Sequence, residues 1–201
     1  MPAFKTIAEP VRTEIDRIKA SRFIADIAPA PTASDATAFV SHIASTFPDA
    51  THHCFGWRIQ GDETRAADDG EPSGSAGRPI LNRITGHDLY QTVIVVTRYY
   101  GGTKLGTGGL VRAYGAATDA ALAVATIIEH RALSTIDIVH AYGLSGAVQS
   151  VLTQFNATPE SSTYETDVCV RLRVPAEDVD ALVAELCERT AGQAVIRVDQ
   201  A

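Results

Sequence analysis

The sequence predicts an α+β protein of two units, on three observations. A β-branched run, Val93-Ile94-Val95-Val96, leads through a glycine-dense turn into an alanine-rich helical stretch. The last third repeats the order strand, helix, strand, strand, helix, strand, which defines a ferredoxin-like unit. Charge divides along the same line: residues 1–131 carry 13 Lys and Arg against 14 Asp and Glu, whereas residues 132–201 carry 4 against 10. A boundary near residue 132 follows, giving units 1–131 and 132–201. At 201 residues, 45% hydrophobic and 20% charged, the chain is long enough for two folded units and too apolar for a disordered one.

The elements follow in order. Phe4, Ile7, Val11, Ile15, Ile18, Phe23, Ile24 and Ile27 alternate loosely before Pro29-Ala30-Pro31, predicting two or three strands. Ser34 or Asp35 is placed to cap a helix whose apolar positions Phe39, Val40, Ile43 and Phe47 fall at helical spacing, with Pro48 as its stop. Aromatic content makes residues 52–59 a strand. A long polar stretch from Gly61 to Arg78 reads as loop. Pro79 suits the first turn of a short helix through Ile84, ended near Gly86. Residues 90–100 form a strand buried on both faces. From about Gly109 to Glu129, Val111, Tyr114, Thr118, Ala121, Leu122, Ala125 and Ile128 mark one side of a long helix.

After Arg131, strands are expected at 134–141, 158–165, 167–174 and 193–199, with helices at 145–155 and 176–190. No stretch approaches the ~20 apolar residues of a membrane helix, and the opening residues show no export pattern. Cys54, Cys169 and Cys187 form no C-x-x-C spacing, so neither a disulfide framework nor a cysteine zinc site is implied. A reducing cytoplasm fits best. The acidic last third repels phosphate backbones, so any nucleic-acid surface is expected on the first unit.

Two segments, 68–79 and 98–112, hold eight of the fifteen glycines. Glycine admits positive φ and close backbone approach, so such density either builds tight connections in a sheet or opens backbone to a partner. The second segment ends a buried strand and opens a helix, with Thr107 available as cap. Amides of Gly101, Gly102, Gly106, Gly108 and Gly109 would gather there, beside Arg98, Lys104 and Arg112, in a setting suited to an anion. Residues 78–112 carry +4, counting Arg78, and residues 62–71 carry −4, counting Asp69 and Glu71. The two loops are therefore electrostatically complementary. If they meet, Asp69 or Glu71 either pairs with Arg98 or Arg112 as a brace, or stands in a ligand site as metal ligand or base; spacing alone selects neither, and metal binding by Asp68 and Asp69 stays open. Ser73 completes the polar candidates on the first loop.

Named motifs are excluded by inspection. Lys104 follows Thr103 and precedes Leu105, so no P-loop is present; the glycines at 106 and 108 lack a third at 111; and neither Ser73 nor Ser75 sits in G-x-S-x-G. His52, His53 and Cys54 alternate along a strand, which separates His53 from the other two and disfavours a metal. Cys54 reads as a small core residue. Tyr99 and Tyr100 alternate too, so one faces a ligand or stacked base, here assigned to Tyr99, and the other is expected in the core.

The stretches D-D-G-E-P-S-G-S-A-G-R-P-I-L at 68–81 and V-V-T-R-Y-Y-G-G-T-K-L-G-T-G-G-L-V-R-A-Y at 95–114 resemble the IMPACT/YigZ family, as do K-A-S-R-F-I-A at 19–25 and A-T-H-H-C at 50–54. Ala67 and Ser75 depart from it, where serine and threonine are usual. The resemblance implies that residues 1–131 share the α+β fold of a small-subunit ribosomal protein domain and of domain IV of elongation factor G. It implies likewise that residues 132–201 are similar to domain V of that factor. Eukaryotic relatives carry an N-terminal RWD domain and modulate translation under amino-acid starvation by competing for the activator of an initiation-factor kinase; this chain has no room for that domain. Fold and family do not fix a partner. The expectation is a non-enzymatic, translation-associated protein with no cofactor and no membrane contact, binding RNA, the ribosome or a translation factor through the glycine-rich basic surface. The alternative is a small-molecule or nucleotide-binding enzyme that uses the same loops on a phosphate-containing substrate.

Overall fold

In the computed structural model, which describes residues 3–59, 61 and 63–199, the chain separates into two compact units, Phe4–His130 and a second beginning at Arg131. Asp62, counted above in the acidic loop, lies outside the described residues.

The first unit is built on a five-stranded antiparallel sheet of β2 (Val11–Ile18), β3 (Ser21–Pro29), β4 (His52–Arg58), β5 (Thr64–Ala67) and β6 (Thr92–Tyr99), in the order β2-β3-β6-β4-β5. Its central strand β6 is clothed on both sides, which is why the β-branched run does not alternate with polar residues. Ile94 and Val96 pack with Ile80 and Ile84 of α2 (Gly77–Gly86) and with Ala113, Tyr114 and Ala117 of α3 (Thr107–Val124). Val93 and Val95 pack on the other face with Ile43 of α1 (Ala33–Thr46), Trp57 and Ala28. Two-sided burial does not require parallel strands here: the helices cover an antiparallel sheet.

Several boundaries differ from the sequence expectation. The cap of α1 is Thr32, whose hydroxyl accepts from the Asp35 amide while the Asp35 carboxylate accepts from the Thr32 amide, so Asp35 closes a capping box from three residues inside. The polar stretch after Gly61 contains β5, an exposed edge strand with no apolar alternation to betray it. The long helix stops at Val124. Ile128 belongs instead to β7 (Ile127–His130), which pairs antiparallel with β1 (Phe4–Ile7), the Phe4 and His130 rings stacking at 4.9 Å. Helical spacing continued through 128 by coincidence, and pairing with the start of the chain overrode it.

The second unit has β8 (Leu133–His140), α4 (Ser145–Gln154), β9 (Pro159–Tyr164), β10 (Val168–Pro175), α5 (Val179–Arg189) and β11 (Val195–Asp199). Its antiparallel sheet runs β11-β8-β10-β9, the ferredoxin-like arrangement. Strict alternation in β8 and β10 puts Ile136, Ile138, Val170 and Leu172 under Val151 and Leu152 of α4 and Leu182 and Leu186 of α5.

Each unit has its own buried core, so fragments 1–131 and 132–201 should each unfold in one cooperative transition. The smaller one is expected to reach only about 3–5 kcal/mol, the usual ceiling for a core of that size. Urea denaturation followed by circular dichroism checks this, and a non-cooperative melt of either fragment contradicts it.

Candidate functional site

The two glycine-rich loops meet at the end of β6. Arg98 is the penultimate residue of that strand, in register with Phe23 of β3 and His52 of β4. Its guanidinium is almost wholly buried and donates 2.5 Å to the Glu71 carboxylate, also almost wholly buried, and 3.1 Å to the Ser21 hydroxyl. The same Glu71 oxygen accepts a 2.7 Å hydrogen bond from the Tyr114 hydroxyl on α3. Of the alternatives left open by spacing, the brace is therefore realised, by Glu71 with Arg98. Burying a charged pair is tolerated here because each partner has further polar contacts.

Behind Glu71 the network continues inward. Cys54 Sγ lies 3.3 Å from the Tyr114 hydroxyl and 3.0 Å from the Asp68 carbonyl. Burial pushes the Cys54 thiol up to about 12, so it stays protonated, a small core residue as its sequence setting suggests. Burial, then the neighbouring thiol and the Glu71 carboxylate, raise Tyr114 far above an ordinary tyrosine and keep its hydroxyl a donor.

The first loop is held by its own aspartate. Asp68 Oδ1 accepts from the Ala76 and Gly77 amides at the start of α2, both at 2.9 Å, and Oδ2 accepts from the Gly74 amide at 2.8 Å. Partial burial pushes the Asp68 carboxyl up, but the three amides outweigh it and hold the group below its usual range. Asp69 serves the same loop: its carboxylate accepts from the His53 amide at 2.6 Å and its carbonyl lies 2.7 Å from His52 Nδ1, which fixes that nitrogen as the protonated one. Asp68 is fully engaged by these amides, while the Asp69 side chain stays half exposed. Among the described residues no group of three or more His, Cys, Asp or Glu is placed to hold a metal.

The second loop is left open. The residue preceding α3 is Gly106 at φ +73°, a backbone setting that favours glycine, and no side chain caps the helix; Thr107, expected as the cap, is its first residue. The first main-chain bond at this end comes from the Leu110 amide, so those of Thr107, Gly108 and Gly109 have no acceptor among the described residues. Thr107 lines a cleft of about 460 Å³ whose wall includes His52, Glu71, Arg98, Tyr100, Lys104 and Leu110, whereas Gly108 and Gly109 are not among the residues lining it. Lys104 and Arg112 are exposed and carry no ion pair among the described residues.

Of the residues singled out from sequence, Glu71, Arg98, Lys104, Gly106 and Thr107 line this cleft. Ser73, Arg78, Gly102, Gly108, Gly109 and Arg112 are not among the residues lining it, and the Asp69 carboxylate bonds the β4 backbone outside it. Gly101 serves close packing: a Cβ there would stand 2.1 Å from the Ala20 carbonyl carbon. The expectation that one tyrosine of the pair enters the core is incorrect. Tyr99 is half-buried with its hydroxyl on Asp49 at 3.0 Å, and Tyr100, 44% exposed, is the ring beside the cleft. Both sit where β6 runs out into the loop, beyond the helices that bury the strand's other residues. His52, Ser21 and Tyr114 were missed as participants. The signal for His52 was its register with Arg98, which needs the sheet order.

A two-unit α+β protein with a cleft at an uncapped helix start, walled by a buried Glu71–Arg98 pair, is the class these features define. The chain belongs to the IMPACT family: the Impact N-terminal domain matches residues 19–122, and a domain of unknown function, DUF1949, matches residues 138–193. It is 36% identical over 190 residues to the IMPACT family member YigZ of Escherichia coli (strain K12), covering 92% of each chain. To the IMPACT family member YvyE of Bacillus subtilis (strain 168) it is 32% identical, covering 97% of this chain and 90% of that one. A crystal structure described as that of a hypothetical protein superposes with a TM-score of 0.65 at 34% identity, covering 98% of this chain and 97% of the other.

Asp68→Asn should lower the stability of the first unit by about 1–3 kcal/mol, because one amide oxygen cannot replace a carboxylate accepting three N–H bonds. Since the folded-state pKa lies below the unfolded value of ~3.9, the ionised group's contribution is full above that pH and is lost as pH falls through the folded value. Urea melts of both proteins across pH should show the gap at neutral pH and its narrowing in acid.

Proposed function

We propose that the chain is a non-enzymatic, translation-associated protein whose first unit binds single-stranded RNA at the α3 cleft. The observation that carries this reading is the uncapped start of α3, whose first residue, Thr107, lines a cleft that also presents Lys104 and Tyr100. A helix end carries roughly half a positive charge and suits a phosphate, and an exposed tyrosine beside it offers a face on which any base can stack. Arg112, one turn into α3 and outside the cleft's lining, is a second exposed cation on the same helix. Glu71 does not oppose an anion, because Arg98 already neutralises it. Membership of the IMPACT family supports a role in translation, and the open helix start with free cations nearby is what favours RNA as the partner.

A second reading, a small-molecule enzyme acting on a phosphate-containing substrate, draws on one observation: His52 Nε2 lies 3.9 Å from the Glu71 carboxylate within the same cleft. That pair, rather than Asp69, would supply acid–base chemistry.

Filter binding of the full chain to oligouridylate across a salt series tests the reading. Lys104→Ala and Arg112→Ala should each weaken binding and reduce the slope of log K against log salt by about 0.7, the value for one phosphate contact on a single strand. Absence of binding at low salt rejects it. Turnover of a phosphate ester that Glu71→Gln abolishes, with the fold intact, favours the second reading.

A further inference from the structure

We propose that the RNA path runs beyond Tyr100 into a second cleft on the β2–β3 hairpin, so that the ligand is a strand several nucleotides long rather than a single nucleotide. This deepens the RNA reading and rests on it. The second cleft, of about 510 Å³, is lined by Arg17, Ala20, Arg22, Tyr99, Tyr100 and Gly101. Tyr100 lines both clefts, so the two flank one exposed ring.

The hairpin is fixed in place relative to the first cleft. Its turn is the two-residue pair Lys19 and Ala20, with φ +46° and +65°, the left-handed geometry that suits a tight hairpin. Ala20 packs against Gly101 so closely that no side chain fits at 101. Next in sequence, the Ser21 hydroxyl accepts both from the Gly101 amide, at 3.2 Å, and from Arg98, which in turn holds Glu71. One hydroxyl thus connects the hairpin, the glycine loop and the floor of the first cleft.

The lining of the second cleft is more polar than that of the first, and it too is flanked by free cations. From 14 to 22 there are three cations, Arg17, Lys19 and Arg22, and two acids, Glu14 and Asp16. Glu14 is already engaged by Arg22 through two bonds of 2.7 and 2.8 Å. Arg22 also lies over the Tyr99 ring at 5.5 Å, which holds that ring in the wall. Arg17 and Lys19 are exposed and have no ion pair among the described residues. Cations on both sides of an exposed aromatic ring reproduce the alternation of phosphate and base along a single strand. The second cleft lacks the buried apolar pocket on which a protein partner would anchor.

The test compares labelled oligouridylates of about two and about eight nucleotides, within the span of known single-strand sites, on the full chain. The eight-mer should bind at least roughly tenfold tighter than the dimer, since it reaches both clefts. The double variant Arg17→Gln, Lys19→Asn, with asparagine chosen because it tolerates the left-handed turn, should weaken the eight-mer roughly tenfold and flatten its salt slope by about 1.4 for two lost contacts. Dimer binding and the thermal midpoint should not change. Equal affinities for the two lengths, or an eight-mer indifferent to the double variant, overturn the second cleft while leaving the first intact. No binding of either length overturns both readings.

Discussion

The buried pair of Glu71 and Arg98 is the interaction on which the site depends. It joins a loop that is otherwise tied to β4 and α2 to a strand end that leads into α3. Tyr114 from the helix and Ser21 from the hairpin add one hydrogen bond to each charge, leaving only the buried Arg98 Nε of the pair without a partner among the described residues. Four separate stretches of chain thus converge on a single carboxylate and guanidinium. An unpaired charge at this depth would cost several kcal/mol. The pair therefore constrains position more than it adds stability: the loops must meet in this arrangement or not at all.

The two glycine-rich loops then divide the work. In the first, Asp68 takes up the amides of Gly74, Ala76 and Gly77 and makes the loop self-contained. In the second, no side chain does the same for the start of α3. Helix starts are ordinarily capped by serine, threonine, aspartate or asparagine; here Gly106 holds the position, and Gly106 and Thr107 line a cleft with an unpaired lysine. Uncapped amides in such a place forgo local stability and gain affinity for an anion, which is the trade expected of a binding surface.

Much of this was legible in the sequence. The complementary charge of residues 62–71 and 78–112 anticipated that the loops meet, and glycine density marked where. Strict period-two alternation made β8 and β10 readable, and the uninterrupted run in β6 marked a strand covered on both sides. What escaped notice depends on the order of strands. His52 becomes part of the cleft because β4 lies beside β6 in register with Arg98, and Ser21 because β3 flanks β6 on its other side. β5 and β7 lack apolar periodicity, being largely exposed edge strands. Tyr99 and Tyr100 misled because face alternation puts one of two neighbours in the core only where a helix covers one face, and both rings lie past the helices that cover β6.

A double-mutant cycle on Glu71→Gln and Arg98→Met, read by urea denaturation of the full chain, tests this central role most directly. Strong coupling is the predicted result: each single variant leaves its partner's charge or donors unmatched, so the double variant should be less destabilised than the sum of the singles by about 1.5–3 kcal/mol. Losses that add to within about 0.5 kcal/mol would show the two residues acting independently, and the account of a cleft organised around them would be contradicted.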